Sequence, residues 1–320
     1  MRAVGFREYG GPERIETIEL RDAAVGFGEV RVRVTAATVN PADLQFCRGD
    51  HRAFVADAAP PFCGGLEFVG TVDTIGPGVP ADLGLAHGMV VAGTSHFIPT
   101  GRGAHAEHVV VPAASVVEAP PAMGAVDLAT VPMNGLTARV ALDSLPRHLD
   151  GPVVVSGAAG AVGSYFIEQA VARGLEVLAI SARSDESWLR DRGITWFVAR
   201  GDTALARVRE ILPRGAPAVV DAAKLGTALL PSVADGGCFL ALRPGHVPPA
   251  VRGIEPRLVS FRRYQQRPDV LGELVEAAAA GELTTRVAGV FAPSRAPIAF
   301  ETAARAGLRG RVVLDWRLDR

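Results

Sequence analysis

The sequence predicts an α/β protein in two parts, a β-rich first part and a parallel sheet with helical crossovers. Three observations predict it. Val30, Val32 and Val34 alternate with Arg31, Arg33 and Thr35, the period-two signature of a half-buried strand. From residue 152 onward the apolar runs VVVSG, LEVLAIS, TWFVA, PAVVDA and CFLAL alternate with helical stretches, the pattern of parallel strands joined by crossovers. At residues 151–170, GPVVVSGAAGAVGSYFIEQA runs from an apolar strand through three spaced glycines into a helix.

A chain of 320 residues, 48% hydrophobic, has room for two domains of ~100–200 residues each. Its 33 basic and 34 acidic residues leave a net charge of −1, so bulk electrostatics favour neither nucleic acid nor an anionic membrane as partner, and a small-molecule substrate is expected. The first residues, MRAVGFREYGGPE, have no apolar signal-like region, and no run of ~18 apolar residues could span a bilayer. Cys47, Cys63 and Cys238 are odd in number and widely spaced, which suggests neither a disulfide framework nor a zinc knuckle. A soluble protein of the reducing cytoplasm is expected. Basic charge is carried by arginine, with Lys224 the only lysine.

Further strands are expected at FVGTVDTI before a Gly-Pro-Gly turn, at MVVAG and at EHVVVP. Alanine-rich helical sequence begins near residue 124. PDVLGELVEAAAAGEL reads as a helix stopped by Gly281, and APIAFETAARAGLRGRVVLDW as a helix, a glycine stop and a final strand.

The glycines at 157, 160 and 163 stand where a dinucleotide fingerprint belongs, after a strand and before a helix expected to continue from Tyr165 to Ala172. A sharp turn, close approach of a pyrophosphate and tight helix–strand packing each call for glycine, and the helix N-terminus supplies free N–H groups. Gly157, Ala158, Ala159, Gly160, Ala161, Val162 and Gly163 are the candidate phosphate loop; the spacing is GxxGxxG, and a ligand-free βα turn is the other reading. The next strand ends in Ser181-Ala182-Arg183-Ser184, where an NAD-selective fold carries a carboxylate. A guanidinium beside hydroxyls forks onto a 2′-phosphate, so Ser181 and Arg183 point to NADPH; a solvated Arg183 beside Asp185 and Glu186 is the alternative.

A fingerprint that starts after 150 residues excludes chains that open with their nucleotide fold. The YxxxK pair of short-chain reductases is missing, since Val220 stands four residues before Lys224. In NPADLQFCRGD (40–50), GGLEFVGTV (64–72), GAHAEHVVV (103–111), LTA (136–138), GAAGAVG (157–163), VVDA (219–222) and GRVVL (310–314), the chain resembles the medium-chain dehydrogenase/reductase superfamily, in its zinc-independent quinone oxidoreductase (zeta-crystallin-like) branch. The resemblance implies a GroES-like β-rich catalytic domain over residues 1–120, completed by 293–320, and a Rossmann NADP(H)-binding domain over 121–292. It implies nicotinamide and substrate in the cleft between them. Zinc-dependent members carry a cysteine near Asn40 and a histidine just before the glutamate of GxE, places that offer neither ligand here. His105, Glu107 and His108 read instead as positions on an alternating strand, so no metal is expected.

The resemblance marks Asn40 as a polar cleft residue whose amide donates to a substrate oxygen or touches the cofactor; an Asx turn before Pro41 is the plainer reading. It marks Thr137 as a contact to the nicotinamide region, against simple helix packing. His51 stands where this branch often has a tyrosine, and its titration range suits a proton donor to a reduced quinone or enolate; it also suits an exposed loop residue. Asp43 is expected to bond within its own turn, and Glu67 to be a buried structural carboxylate partnered by arginine. SFRRYQQRPDV (260–270) is a basic segment placed by region near the cofactor, with Arg263 a candidate phosphate contact, or a solvated face.

The function so implied is an NADPH-dependent, zinc-independent oxidoreductase that transfers hydride to a quinone or an α,β-unsaturated carbonyl compound. The alternatives are a tailoring enoyl or keto reductase of polyketide-type metabolism and a catalytically inactive NADPH-binding sensor or scaffold. A homodimer is expected through the sheet edge near CFLAL.

Overall fold

A computed structural model describes residues 1–319; the last residue of the expected closing segment 293–320 lies outside the described residues. The chain divides into two compact units, Met1–Met133 with Tyr264–Arg320, and Asn134–Arg263.

The first unit begins with β1 (Arg2–Phe6), β2 (Glu16–Glu19) and β3 (Glu29–Val39), followed by helix α1 (Pro41–Arg48). Then come β4 (Phe62–Cys63), β5 (Glu67–Ile75), β6 (Val90–Thr94), β7 (His108–Pro112), β8 (Val116–Glu118) and the short α2 (Ala125–Leu128). Strand β3 fulfils its alternation: Val30, Val32 and Val34 are fully buried, whereas Arg31 faces outward to an ion pair with Asp73 on β5. Each buried valine contributes about 1.5–3 kcal/mol, so this register resists a one-residue slip. Strand β3 pairs antiparallel with both β5 and β7. A register irregularity between Val34 and Ala36 lets the last residues of β3 carry Thr38 and Val39 to the start of α1.

Helix α3 (Pro132–Asp143) leads into the second unit: β9 (Val153–Ser156), α4 (Ala161–Ala172), β10 (Val177–Ser181), α5 (Glu186–Arg190), β11 (Trp196–Ala199), α6 (Ala204–Ile211), β12 (Ala216–Asp221), β13 (Val233–Ala241) and β14 (Glu255–Leu258). All six strands are parallel, in the order β11-β10-β9-β12-β13-β14. This is the doubly wound order: from β9 the chain steps outward twice, then returns to β9's other side as β12. Val154, Leu178, Val219 and Phe239, from four adjacent strands, share one core. The helix after the glycines starts at Ala161, four residues before the sequence expectation, so Gly163 lies inside it. CFLAL is not at the sheet edge, because β14 pairs along its far side.

The chain returns to the first unit with α7 (Pro268–Ala279), β15 (Val287–Phe291), α8 (Ala296–Ala303) and β16 (Arg311–Asp315). Strand β16 pairs with β3, and so completes the larger sheet of this unit.

Candidate functional site

In a doubly wound sheet, ligands bind outside the carboxyl ends of the strands where the winding reverses, here between β9 and β12. Gly157 leaves β9 at φ +64°, and a Cβ there would meet the Ala222 carbonyl carbon at 3.1 Å and Ala223 N at 3.2 Å. The loop after β9 therefore lies directly against the loop after β12. Gly160 starts α4, its N–H donating to Gly157 O at 2.9 Å and its carbonyl accepting from Ser164 N–H at 2.9 Å. A Cβ on Gly163 would be driven into the Gly157 carbonyl oxygen and come within 3.0 Å of Ala158 O. The first-turn N–H groups at Ala161, Val162 and Gly163 have no helical acceptor. With only small side chains at 157–161, the loop fits a pyrophosphate.

Asp221, at the end of β12, ties this region together. Its Oδ1 accepts the Ser156 hydroxyl at 2.6 Å and Ala223 N–H at 3.1 Å, and its Oδ2 accepts Gly226 N–H at 2.7 Å. On the loop it holds, Lys224 is exposed and takes a left-handed backbone at φ 63°. In the sequence, VVDA carries the family resemblance, and the signal for Asp221 is a carboxylate closing a buried strand.

At the end of β10, the Ser181 hydroxyl is already engaged, donating to Asp185 Oδ2 at 2.6 Å. Arg183 is 79% exposed, its guanidinium 3.6 Å from Glu186, a carboxylate that Arg190 holds at 2.8 Å. It is therefore weakly held and able to meet an anion. Arg263 donates to the Ser144 hydroxyl at 3.3 Å, next to Arg257, which donates to Ser144 O at 3.0 Å. Both arginines brace the residue that follows α3, and Thr137 is buried within that helix.

In the first unit, Asn40 precedes α1 and is completely buried. Its Nδ2 donates to Thr38 Oγ1 at 2.7 Å and to Glu67 Oε1 at 3.0 Å, and its Oδ1 has no partner. The donor expected to meet a substrate is thus used within the protein, and an acceptor is left over. Glu67, also completely buried, further accepts the Thr38 hydroxyl at 2.5 Å and Met133 N–H at 2.8 Å. Its carboxyl is held above the usual carboxylate range by burial, which outweighs the Thr38 bond, the Arg311 charge and the Asn40 and Met133 donors. Asp43 bonds within its turn, accepting Asn40 N–H at 2.7 Å, and also reaches Gly65 N–H at 2.7 Å. The sequence reading missed Thr38 and the Asn40–Glu67 contact.

His51 lies past the other end of α1, a helix about 12 Å long at 1.5 Å per residue. It is half-buried against Phe97 and Phe54, with ring centroids 6.0 and 6.4 Å away, and its Nε2 has no partner. Burial holds its pKa below the ordinary histidine value, against the charges of Asp50 and Asp43. His105 Nε2 bonds Thr38 O at 2.8 Å, Glu107 pairs with Arg2 at 2.9 Å, and His108 starts β7. Among the described residues no group of three or more His, Cys, Asp or Glu is arranged to hold a metal ion.

The alcohol dehydrogenase GroES-like domain family matches residues 26–121. The chain is 25% identical over 333 residues to a chloroplastic quinone oxidoreductase, QR1, of Triphysaria versicolor, covering 98% of both chains. A mycobacterial quinone oxidoreductase structure superposes with TM-score 0.81 at 26% identity, covering 98% of this chain and 99% of the other. A mycobacterial structure complexed with NADPH gives TM-score 0.81 at 25% identity, covering 98% of this chain and 100% of that one. A doubly wound nucleotide-binding sheet joined to a GroES-like unit defines a dehydrogenase/reductase of two-domain type. These similarities support a place in the medium-chain dehydrogenase/reductase superfamily, in its quinone-oxidoreductase-like branch.

Proposed function

We propose that this protein is an NADPH-dependent, zinc-independent reductase that passes hydride to a quinone or to the β-carbon of an α,β-unsaturated carbonyl compound. The observation that carries the reading is the glycine loop at the β9/β12 reversal, whose close backbone packing and small side chains leave first-turn N–H groups without helical acceptors, a fit for a phosphate. Full-length similarity to quinone oxidoreductases, and to a structure holding NADPH, supports the reaction class and the cofactor.

When bound, the cofactor supplies the hydride. The chain's own residues do the rest. Residues 157–163 would hold the pyrophosphate, with Asp221 fixing the adjoining loop; Arg183 would meet the 2′-phosphate, and Arg263 stiffens the end of α3. Thr137, on α3, would contact the nicotinamide half, as the family resemblance implies. His51 gives the proton that accompanies the hydride, so two electrons and two protons reach a quinone in all. Phe97 packs on one side of His51 and Phe54 lies on another.

A homodimer formed through the open edge at β14, where Leu258 is exposed, belongs to the same reading, as does a cytoplasmic location suited to three free cysteines. No helix among the described residues is long and apolar enough to cross a membrane.

The test is loss of the reduced-nicotinamide absorbance band with NADPH or NADH, against one benzoquinone and one aliphatic enone. Consumption of NADPH with either acceptor is expected, and the faster acceptor names the substrate class. Tight NADPH binding without turnover of any acceptor would sink the reading in favour of a non-catalytic role.

A further inference from the structure

The hydrogen bonds around Asn40 are directional. An ionised carboxylate only accepts, whereas an amide has one end that donates and one that accepts. Glu67 Oε1 receives the Asn40 Nδ2–H and the Thr38 hydroxyl, and Oε2 receives Met133 N–H. Every donor in this set points at the carboxylate, and the Arg311 charge acts on it as well. Asn40 therefore has to turn its nitrogen toward Glu67, and both of its protons are consumed, one by Glu67 and one by Thr38 Oγ1. The oxygen at the other end is buried and has no partner. A buried polar atom without a partner is costly, and a ligand or an ordered water would complete its bonding.

We propose that Glu67 is a positioning residue whose carboxylate sets the polarity of Asn40, so that the site offers the ligand an acceptor and not a donor. This rests on the reductase reading above and deepens it. The group that meets Asn40 Oδ1 is a hydroxyl or N–H, either on the nicotinamide half of the cofactor or on the substrate. Neutral Glu67→Gln breaks the device without changing its shape. Gln must direct its carbonyl to Met133 N–H, and its amide then faces Asn40 nitrogen to nitrogen. Asn40 rotates to relieve the clash, presenting a donor where the wild type presents an acceptor.

Asparagine occurs only at 40 and 134, so protein labelled with 15N-asparagine shows two side-chain amide pairs, assigned with Asn40→Asp. In the full-length wild type, the Asn40 side-chain protons should exchange slowly with deuterium and move little when NADPH is added. In Glu67→Gln they should exchange at least about tenfold faster. Either the NADPH dissociation constant, read by fluorescence titration, or the KM for the quinone at near-constant kcat should rise about tenfold. The first result assigns the acceptor to the cofactor, the second to the substrate. Glu67→Asp keeps an acceptor-only group and should restore slow exchange.

Fast-exchanging wild-type protons, or protons strongly shifted by NADPH, would overturn the proposal, as would a Glu67→Gln protein with unchanged exchange, affinity and KM. If Glu67→Gln does not fold, Thr38→Val decides. It should free one Asn40 proton and leave the other protected by Glu67; exposure of both would assign the orientation to Thr38. Failure of NADPH to bind the wild type would refute the cofactor reading, while exchange in the free protein would still judge Glu67.

Discussion

Replacing Gly163 with alanine adds one methyl group at the tightest point of the phosphate loop. That methyl would press into Gly157 O and lie 3.0 Å from Ala158 O and 3.1 Å from Ala158 Cα, where ordinary contact begins at 3.4 Å. All three obstacles are backbone, so the start of α4 must move away from the loop. Alanine inside a helix gains about 1 kcal/mol over glycine, and overpacking costs about 1–3 kcal/mol, giving a net loss of about 1 kcal/mol. The functional effect should be larger. Displacing the first-turn N–H groups weakens at least one hydrogen bond to a charged phosphate, a loss of about 1.5–3 kcal/mol or roughly 10- to 100-fold in NADPH affinity. The control is Gly272→Ala in α7, where nothing lies within 4 Å of the added atom. It should gain about 1 kcal/mol and bind NADPH normally. Titration calorimetry and thermal melts decide: a Gly163→Ala protein that matches the control in both would refute the argument that the loop needs close backbone approach.

Arg183→Ala should weaken NADPH about tenfold or more and NADH less than about twofold in the same titration, and equal weakening would show that Arg183 does not read the 2′-phosphate. Asp221→Asn sets an amide donor against the N–H of Ala223 or Gly226 or the Ser156 hydroxyl, and should cost about 2–3 kcal/mol in a denaturant melt; no loss would mean the hub is dispensable. Because folding lowers the His51 pKa, the unfolded chain binds that proton more tightly, so stability should fall as pH drops through and below the ordinary histidine value of about 6.5. His51→Gln should flatten this dependence in melts taken across that range; an unchanged slope would exclude His51 as its source.

What the sequence made legible was whatever a local period or spacing encodes. The valine alternation of β3 and the strand-glycine-helix order at 153–172 need only neighbours a few residues apart. Strand β14 was not legible, because EPRL contains a proline and two charges, and only its position at an edge tolerates them. The helix starts at Ala161, earlier than the expected Tyr165, and the third fingerprint glycine sits inside its first turn, where packing against the Gly157 carbonyl requires glycine. At the site, residue types were readable but their partners were not. Asn40 meets Glu67 across 27 intervening steps of chain, and that pairing converts an expected donor into an acceptor. The Ser181 hydroxyl was assigned to a phosphate, yet Asp185 four residues on receives it.

Lys224 gives the molecule a chemical address. The chain carries its positive charge on arginine and has a single lysine, an exposed residue on the loop that Asp221 pins beside the glycine turn. Reagents selective for lysine side chains therefore modify one position, and that position borders the crevice where the sheet's winding reverses. A fluorophore or crosslinker attached there becomes a reporter of what enters the crevice, obtained without introducing a cysteine or removing any other lysine.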